Sequence, residues 1–295
     1  MPVLDLFFYS ELAITTIYLY QNIFQSLMVS LYVGIDPSIN STGICVQAYH
    51  DEEHLYTRFF IVHGGRLTKK ESASVESLNS LIDVVEYNKI DTSIYKKKDN
   101  NEFEIAKTKN LISIVSSISE ILDSESRKLS PEYKLEDIES YITIEANSFN
   151  SRSRSVSLIE LCGLNFLIRK EMMDRNLTYL IVGTPSEMKK YATSKGNADK
   201  ELVKLVFLTK YPEFKDCAFK IDDIADAYFM SCYSYKIANG IENGYIRENG
   251  LEETVKNGTS QMKSRKAKES ELKKLKKQEK QLQENRLDKE CIENI

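Results

Sequence analysis

The chain has 295 residues, 42% of them apolar and 28% charged, a composition typical of soluble globular proteins and long enough for one large domain with appendages. A formal net charge of −4 excludes a basic nucleic-acid coat, but the charge is unevenly spread: residues 259–295 hold 11 Lys/Arg against 7 Asp/Glu, leaving 29 against 37 in the rest. An acidic body with a basic tail fits a carboxylate cluster plus a separate element that attracts phosphate. The five cysteines are odd in number and show no C-x-x-C spacing, which points to reduced thiols in a cytoplasmic setting and away from structural zinc.

Residues 1–27 are apolar and lack Lys and Arg; the first basic residue is Arg58. A secretory signal needs a basic start, and Asp5, Glu11, Gln21, Asn22 and Gln25 interrupt a membrane span. The stretch reads as an amphipathic helical extension, or as sequence upstream of a working start at Met28. A membrane anchor is the lesser reading.

Leu31–Val46, LYVGIDPSINSTGICV, holds an apolar run that ends on Asp36, a turn set by Pro37, Ser38, Asn40 and Ser41, and a second apolar run at Ile44–Val46. That pattern predicts a strand, a tight turn and an antiparallel strand. A carboxylate where a buried strand meets a turn either caps the turn or has a compensating cation. Leu55–Val62 reads as a third strand ended by Gly64–Gly65. His50 and His54 are four apart, as zinc ligands on a helix would be, but their flanks read as a hairpin, so no metal role is assigned to them. Residues 74–90 and 102–123 show apolar positions three and four apart and are read as amphipathic helices.

Tyr141–Ala146, YITIEA, reads as the fourth strand and again ends on a carboxylate, Glu145. Ser151–Met173 reads as a helix, Leu177–Val182 as the fifth strand, and Thr184–Pro185 as a helix start. Asp199–Lys210 and Asp222–Ala238 read as the remaining helices of the body. The expected architecture is α/β: a mixed five-stranded sheet in the order β-β-β-α-β-α-β-α, with helices on both faces. Residues 28–240 form the main domain with an insertion at 66–138, and residues 241–258 read as a linker. Residues 259–295 read as a charged tail, helical or disordered, with too few heptads for a coiled coil.

Asp36 and Glu145 each end a strand, and Asp222, Asp223 and Asp226 open the last body helix, where spacings of three and four share a face. Like charges gathered in one place cannot all stay ionised without cations. Two Mg²⁺ or Mn²⁺ ions about 4 Å apart would resolve the repulsion and serve phosphodiester hydrolysis. Oxygen-only ligands favour these ions over zinc. Taken singly, each acid reads equally as a helix cap or a surface charge.

GIDPSINSTG at Gly34–Gly43, IEA at Ile144–Ala146, PSEMKKYATSKGNADKELV at Pro185–Val203 and DDIADAYF at Asp222–Phe229, in this order, resemble the RuvC family of Holliday-junction resolvases, within the ribonuclease H-like superfamily. The resemblance covers about residues 31–238 and leaves both ends unexplained. It implies a Mg²⁺-dependent endonuclease that cuts four-way or other branched DNA as a homodimer, with no small-molecule cofactor and no membrane partner. It places the catalytic, metal-holding acids at Asp36, Glu145, Asp223 and Asp226. It suggests Phe149 as an aromatic near the junction centre, and Lys189, Lys190, Lys195 and Lys200 on DNA phosphates. Arg152 and Arg154 stand where phosphate contacts are also expected. The unusual ends suggest a viral, phage or mobile-element source.

Other readings remain open on sequence. A ribonuclease H or flap nuclease on the same fold shares the acids. An actin-like or sugar-kinase-type ATPase also opens with a Gly-Ile-Asp hairpin but needs a second lobe and a Gly-rich adenosine site, which the chain does not display. A non-catalytic DNA-binding scaffold would not need all four acids.

Overall fold

A computed structural model describes residues 29–78, 80–95, 100–146, 156–176 and 178–262, with 264, 268, 273 and 274 beyond them. The extension read at 1–27, the candidate contacts Phe149, Arg152 and Arg154, and most of the charged tail lie outside these residues. The chain forms two compact units, divided between Tyr245 and Ile246.

In the first unit, β1 (Val29–Asp36), β2 (Ser41–His50) and β3 (Glu53–Gly64) form an antiparallel meander. Helix α1 (Lys69–Ser77) leads to β4 (Ile82–Tyr87), and α2 (Asn100–Leu129) leads to β5 (Ile138–Glu145). There follow α3 (Val156–Met173), β6 (Thr178–Gly183), α4 (Pro185–Thr193), α5 (Lys200–Lys210) and α6 (Ile221–Ala238). The strands lie in the order β4-β3-β2-β1-β5-β6, with the β3–β4, β1–β5 and β5–β6 pairs parallel.

The mixed α/β class holds, but the sheet has six strands where five are expected. The added strand is β4, inside a segment whose spacing reads as a helix over 74–90. The helix there is only α1, which starts earlier, at a capping box in which Thr68 accepts from the Glu71 amide and Glu71 accepts from the Thr68 amide. The chain then turns at Leu78 and lays Ile82–Tyr87 along β3. Six residues are too few for periodicity to separate strand from helix, and the pairing partner decides.

Strand alternation sorts the side chains onto two faces. Leu31, Val33, Ile35, Ile142 and Ile144 point to the face covered by α2 and α3, where they join Ile114, Ile118, Leu122, Leu164, Ile168 and Met172 in a single buried core. The opposite face receives α6. Gly34 is what lets that helix lie so close: a Cβ there would stand 1.9 Å from the Ala227 carbonyl oxygen and 2.5 Å from the Ser231 nitrogen. Buried polar bonds fix the register of α6, with the Ser234 hydroxyl donating to the Val33 carbonyl at 3.0 Å and lying 2.8 Å from the Thr143 hydroxyl.

In the stretch read as a linker, α7 (Tyr245–Glu248) and residues 252–258 are helical, and in the second unit the helix begun at 252 runs on to 262. No helix among the described residues is long and apolar enough to cross a membrane.

Candidate active site

The parallel register pairs Gly34 with Thr143 and Ile35 with Ile144. One residue further along, Asp36 and Glu145 end adjacent strands at the same level. Each lies an even step from the α6-facing Gly34 and Thr143, so both carboxylates project to the α6 side. On the other flank Asp36 pairs with Gly43 of β2. A Cβ at Gly43 would meet the Asp223 carbonyl oxygen at 2.6 Å, so the first turn of α6 rests directly on this glycine. Asp223 and Asp226 follow one another on that helix. Three elements distant in sequence thus deliver four carboxylates to one end of the sheet.

The electrostatics fit that convergence. Burial pushes the Asp36 carboxyl well above the usual range, and Asp226, Glu145 and Asp223, in that order, push it further. Glu145 is raised by burial and by Asp226. Asp226 is pushed up to about 6, mainly by burial, with Asp222 and Asp223 adding to it. Asp223 is raised by burial too, and its Oδ2 is buried with no hydrogen-bond partner among the described residues. Four destabilised carboxylates, one of them with an orphaned oxygen, form an oxygen-only donor set suited to hard divalent cations. Among the described residues no three acidic, histidine or cysteine side chains are gathered closely enough to hold an ion as they stand.

Three lysines relieve the repulsion in part. Lys200, at the start of α5, has its Nζ 3.9 Å from Asp226 Oδ2. Burial draws its own pKa down, but Asp226, Asp36, Asp222 and Asp223 raise it overall. Lys189 on α4 acts on Glu145 and Asp226, and Lys220, the residue capping α6, acts on Asp223. Lys190 faces a groove with Tyr191, Ser194, Tyr233 and Lys236 instead. Lys195 is exposed on the loop after α4, its backbone tied to the Thr193 hydroxyl.

Two contributors escape the sequence reading. Lys220 sits between a loop and a helix with nothing local to single it out. Asn165, 3% exposed within the apolar run of α3, donates from Nδ2 to the Glu145 carbonyl at 2.8 Å and so fixes the strand end that carries the acid. The one signal for it is an amide inside an otherwise apolar helical run.

Removing the Lys200 charge should leave the carboxylates harder to ionise. Because protons compete with cations for the same oxygens, Lys200→Met is expected to move the acid limb of any divalent-ion-dependent activity to higher pH. The loss should be severalfold at pH 6 and smaller at pH 8, read from rate against pH.

No family model matches the chain, and no curated protein matches it. Among solved structures it is similar to Thermus thermophilus RuvC, at 15% identity and a TM-score of 0.35, over 72% of this chain and 97% of that one. It is similar to T. thermophilus RuvC in complex with Holliday junction substrate, at 17% identity and a TM-score of 0.37, over 74% and 99%. A third similarity is to the yeast mitochondrial Holliday junction resolvase Ydc2, at 13% identity and a TM-score of 0.34, over 77% and 83%. Likeness this distant carries no residue roles across, and those stand on the geometry of this chain.

Proposed function

We propose that this protein is a divalent-metal-dependent endonuclease that hydrolyses phosphodiester bonds in branched DNA, with the four-way junction as its substrate. The observation that carries the reading is the convergence of Asp36, Glu145, Asp223 and Asp226 at one end of the sheet, each with its pKa raised. Two Mg²⁺ ions, or Mn²⁺ in their place, bound by these four carboxylates would supply an activated water and stabilise the leaving oxygen. The chain's own residues do the rest. Asp36 and Glu145 are held rigidly by adjacent strands, and Asp223 and Asp226 by the first turns of α6. Lys200 and Lys189 ease the ionisation of the acids and offer positive charge to the scissile phosphate. On this reading Lys190 and Lys195 meet the DNA backbone further out, and Phe149, Arg152 and Arg154 are further contacts.

The same reading takes the protein as a homodimer, since resolving a junction needs two cuts. A supporting observation is a run of exposed apolar side chains on α3 at seven-residue intervals: Ile159 is 75% exposed, Phe166 60% and Met173 72%. Val182 on the edge strand β6, which pairs with Ile144 and so lies on the face that α3 covers, is also exposed. Apolar surface gathered on one side of a protein favours association, and a two-fold axis lets one patch pair with itself.

Purified protein incubated with a four-way junction, a matched duplex and an RNA–DNA hybrid, in Mg²⁺ or in EDTA, tests the assignment. The expected outcome is paired, symmetric nicks in the junction alone, abolished by EDTA. Cleavage of the hybrid alone would move the assignment to a ribonuclease H, and cutting of unbranched duplex would remove the junction from it.

A further inference from the structure

We infer that residues 87–90, at the end of β4, are a brace for the turn behind Asp36, with Tyr87 as its positioning residue. The turn Pro37–Asn40 is the only covalent path from Asp36 to the start of β2. Internally it is closed by Thr42, whose hydroxyl donates to the Ser38 carbonyl at 2.8 Å and accepts from the Ser38 amide at 3.2 Å. The other contacts come from outside the hairpin. The Tyr87 hydroxyl at the end of β4 donates to the Ile39 carbonyl at 3.1 Å, and the Lys89 ammonium donates to Asn40 Oδ1 at 2.7 Å. The Gly64 amide reaches the Asn40 carbonyl at 3.4 Å.

The brace is itself anchored. Tyr87 is buried in the core under α2. Three residues beyond Tyr87, Ile90 is gripped on both sides by the buried amide of Asn110 on α2. Its N–H donates to Asn110 Oδ1 at 2.8 Å, and its carbonyl accepts from Nδ2 at 3.0 Å. Gly64 leaves the path open: a Cβ there would stand 2.7 Å from the Tyr87 hydroxyl oxygen and 3.0 Å from Lys89 Cδ. A continuous series of contacts therefore runs from α2 through residues 87–90 to the turn. At the far side of the turn, Gly43 bears on the Asp223 backbone. Fixing the turn sets the spacing between Asp36 and Asp223, and small errors in such spacing cost catalysis heavily.

This inference rests on the nuclease reading for its effect on rate, but not for the brace itself. Tyr87→Phe removes one hydroxyl and keeps the ring in the core. The expected results are amide exchange at Ser38 and Gly64 about fivefold faster, as befits the loss of one hydrogen bond, and a melting temperature nearly unchanged. Junction-cleavage kcat should fall about fivefold to tenfold with KM unchanged, and Mn²⁺ affinity of the metal-free protein should fall alongside it. Lys89→Met should reproduce the exchange result at Ser38. Unchanged exchange in both variants overturns the brace. Faster exchange with undiminished kcat and Mn²⁺ affinity overturns the link to Asp36. Should the wild type neither cut the junction nor bind Mn²⁺, the nuclease reading fails while exchange still decides whether the brace exists.

Discussion

Replacing Asp36 with Asn is expected to abolish junction cleavage while making the metal-free protein more stable. The two effects share one cause. Asp36 sits at the buried end of β1 and is pushed well above the ordinary carboxylate range by burial, then by Asp226, Glu145 and Asp223. An acid with a raised folded-state pKa binds its proton more tightly in the folded chain than in the unfolded one. Its ionisation therefore costs nothing below the unfolded value near 4, and the cost grows as pH rises through the raised range, which for Asp226 extends to about 6. Metal-free wild type should lose stability between pH 4 and 7, and Asp36→Asn should flatten that loss. At pH 7.5 the variant should gain about 2 kcal/mol, the scale of removing an uncompensated buried charge. That corresponds to a melting temperature higher by roughly 6 °C for a body of this size. Without the strand-borne ligand, cleavage should fall by about a thousandfold or more, as when a group that stabilises transition-state charge is removed. Binding to the junction should persist, because the lysines are untouched. Melting curves at pH 5 and 7.5 with EDTA, together with gel-shift and nicking assays, measure all three. An equal melting temperature at both pH values for the wild type would remove the electrostatic basis of the site.

Gly34→Ala should be the most damaging single substitution in the body. The added methyl carbon would lie 1.9 Å from the Ala227 oxygen, 2.5 Å from the Ser231 nitrogen and 2.7 Å from Met230 Cβ. Two of these atoms are helix backbone and cannot rotate aside, so α6 as a whole must lift from the sheet. That movement would strain the Ser234 bond to Val33 and carry Asp223 and Asp226 away from Asp36. Overpacking a rigid contact of this kind costs about 3–5 kcal/mol, at the high end for point substitutions. Urea unfolding should show a lower midpoint with an unchanged slope, and any soluble variant should be inactive. A variant as stable as the wild type would mean that α6 does not seat on β1 as described.

Much of this site is legible from the residue order. A strand that closes on an acid after an apolar run, twice over, marks Asp36 and Glu145. Spacings of three and four in KIDDIADAYF mark the α6 acids. The antiparallel meander follows from turn residues, and Pro185 after Thr184 marks the start of α4, where the structure has a capping box with Glu187. What was not legible depends on contacts made far along the chain. The strand identity of Ile82–Tyr87 comes from its pairing with β3. The approach of α6 to the sheet depends on Gly34 and Gly43, and nothing local in the sequence says which backbone will lie against them. Lys220 and Asn165 acquire a role only when the fold sets them beside Asp223 and Glu145.

The most direct measurement is a calorimetric titration of Mn²⁺ into metal-free wild type and into Asp36→Asn and Asp226→Asn. If the four carboxylates form one cation pocket, the wild type takes up two ions per chain, and each variant loses at least one of them. Equal uptake by all three proteins would place the cations elsewhere, and the pocket formed by β1, β5 and α6 would then have no part in binding them.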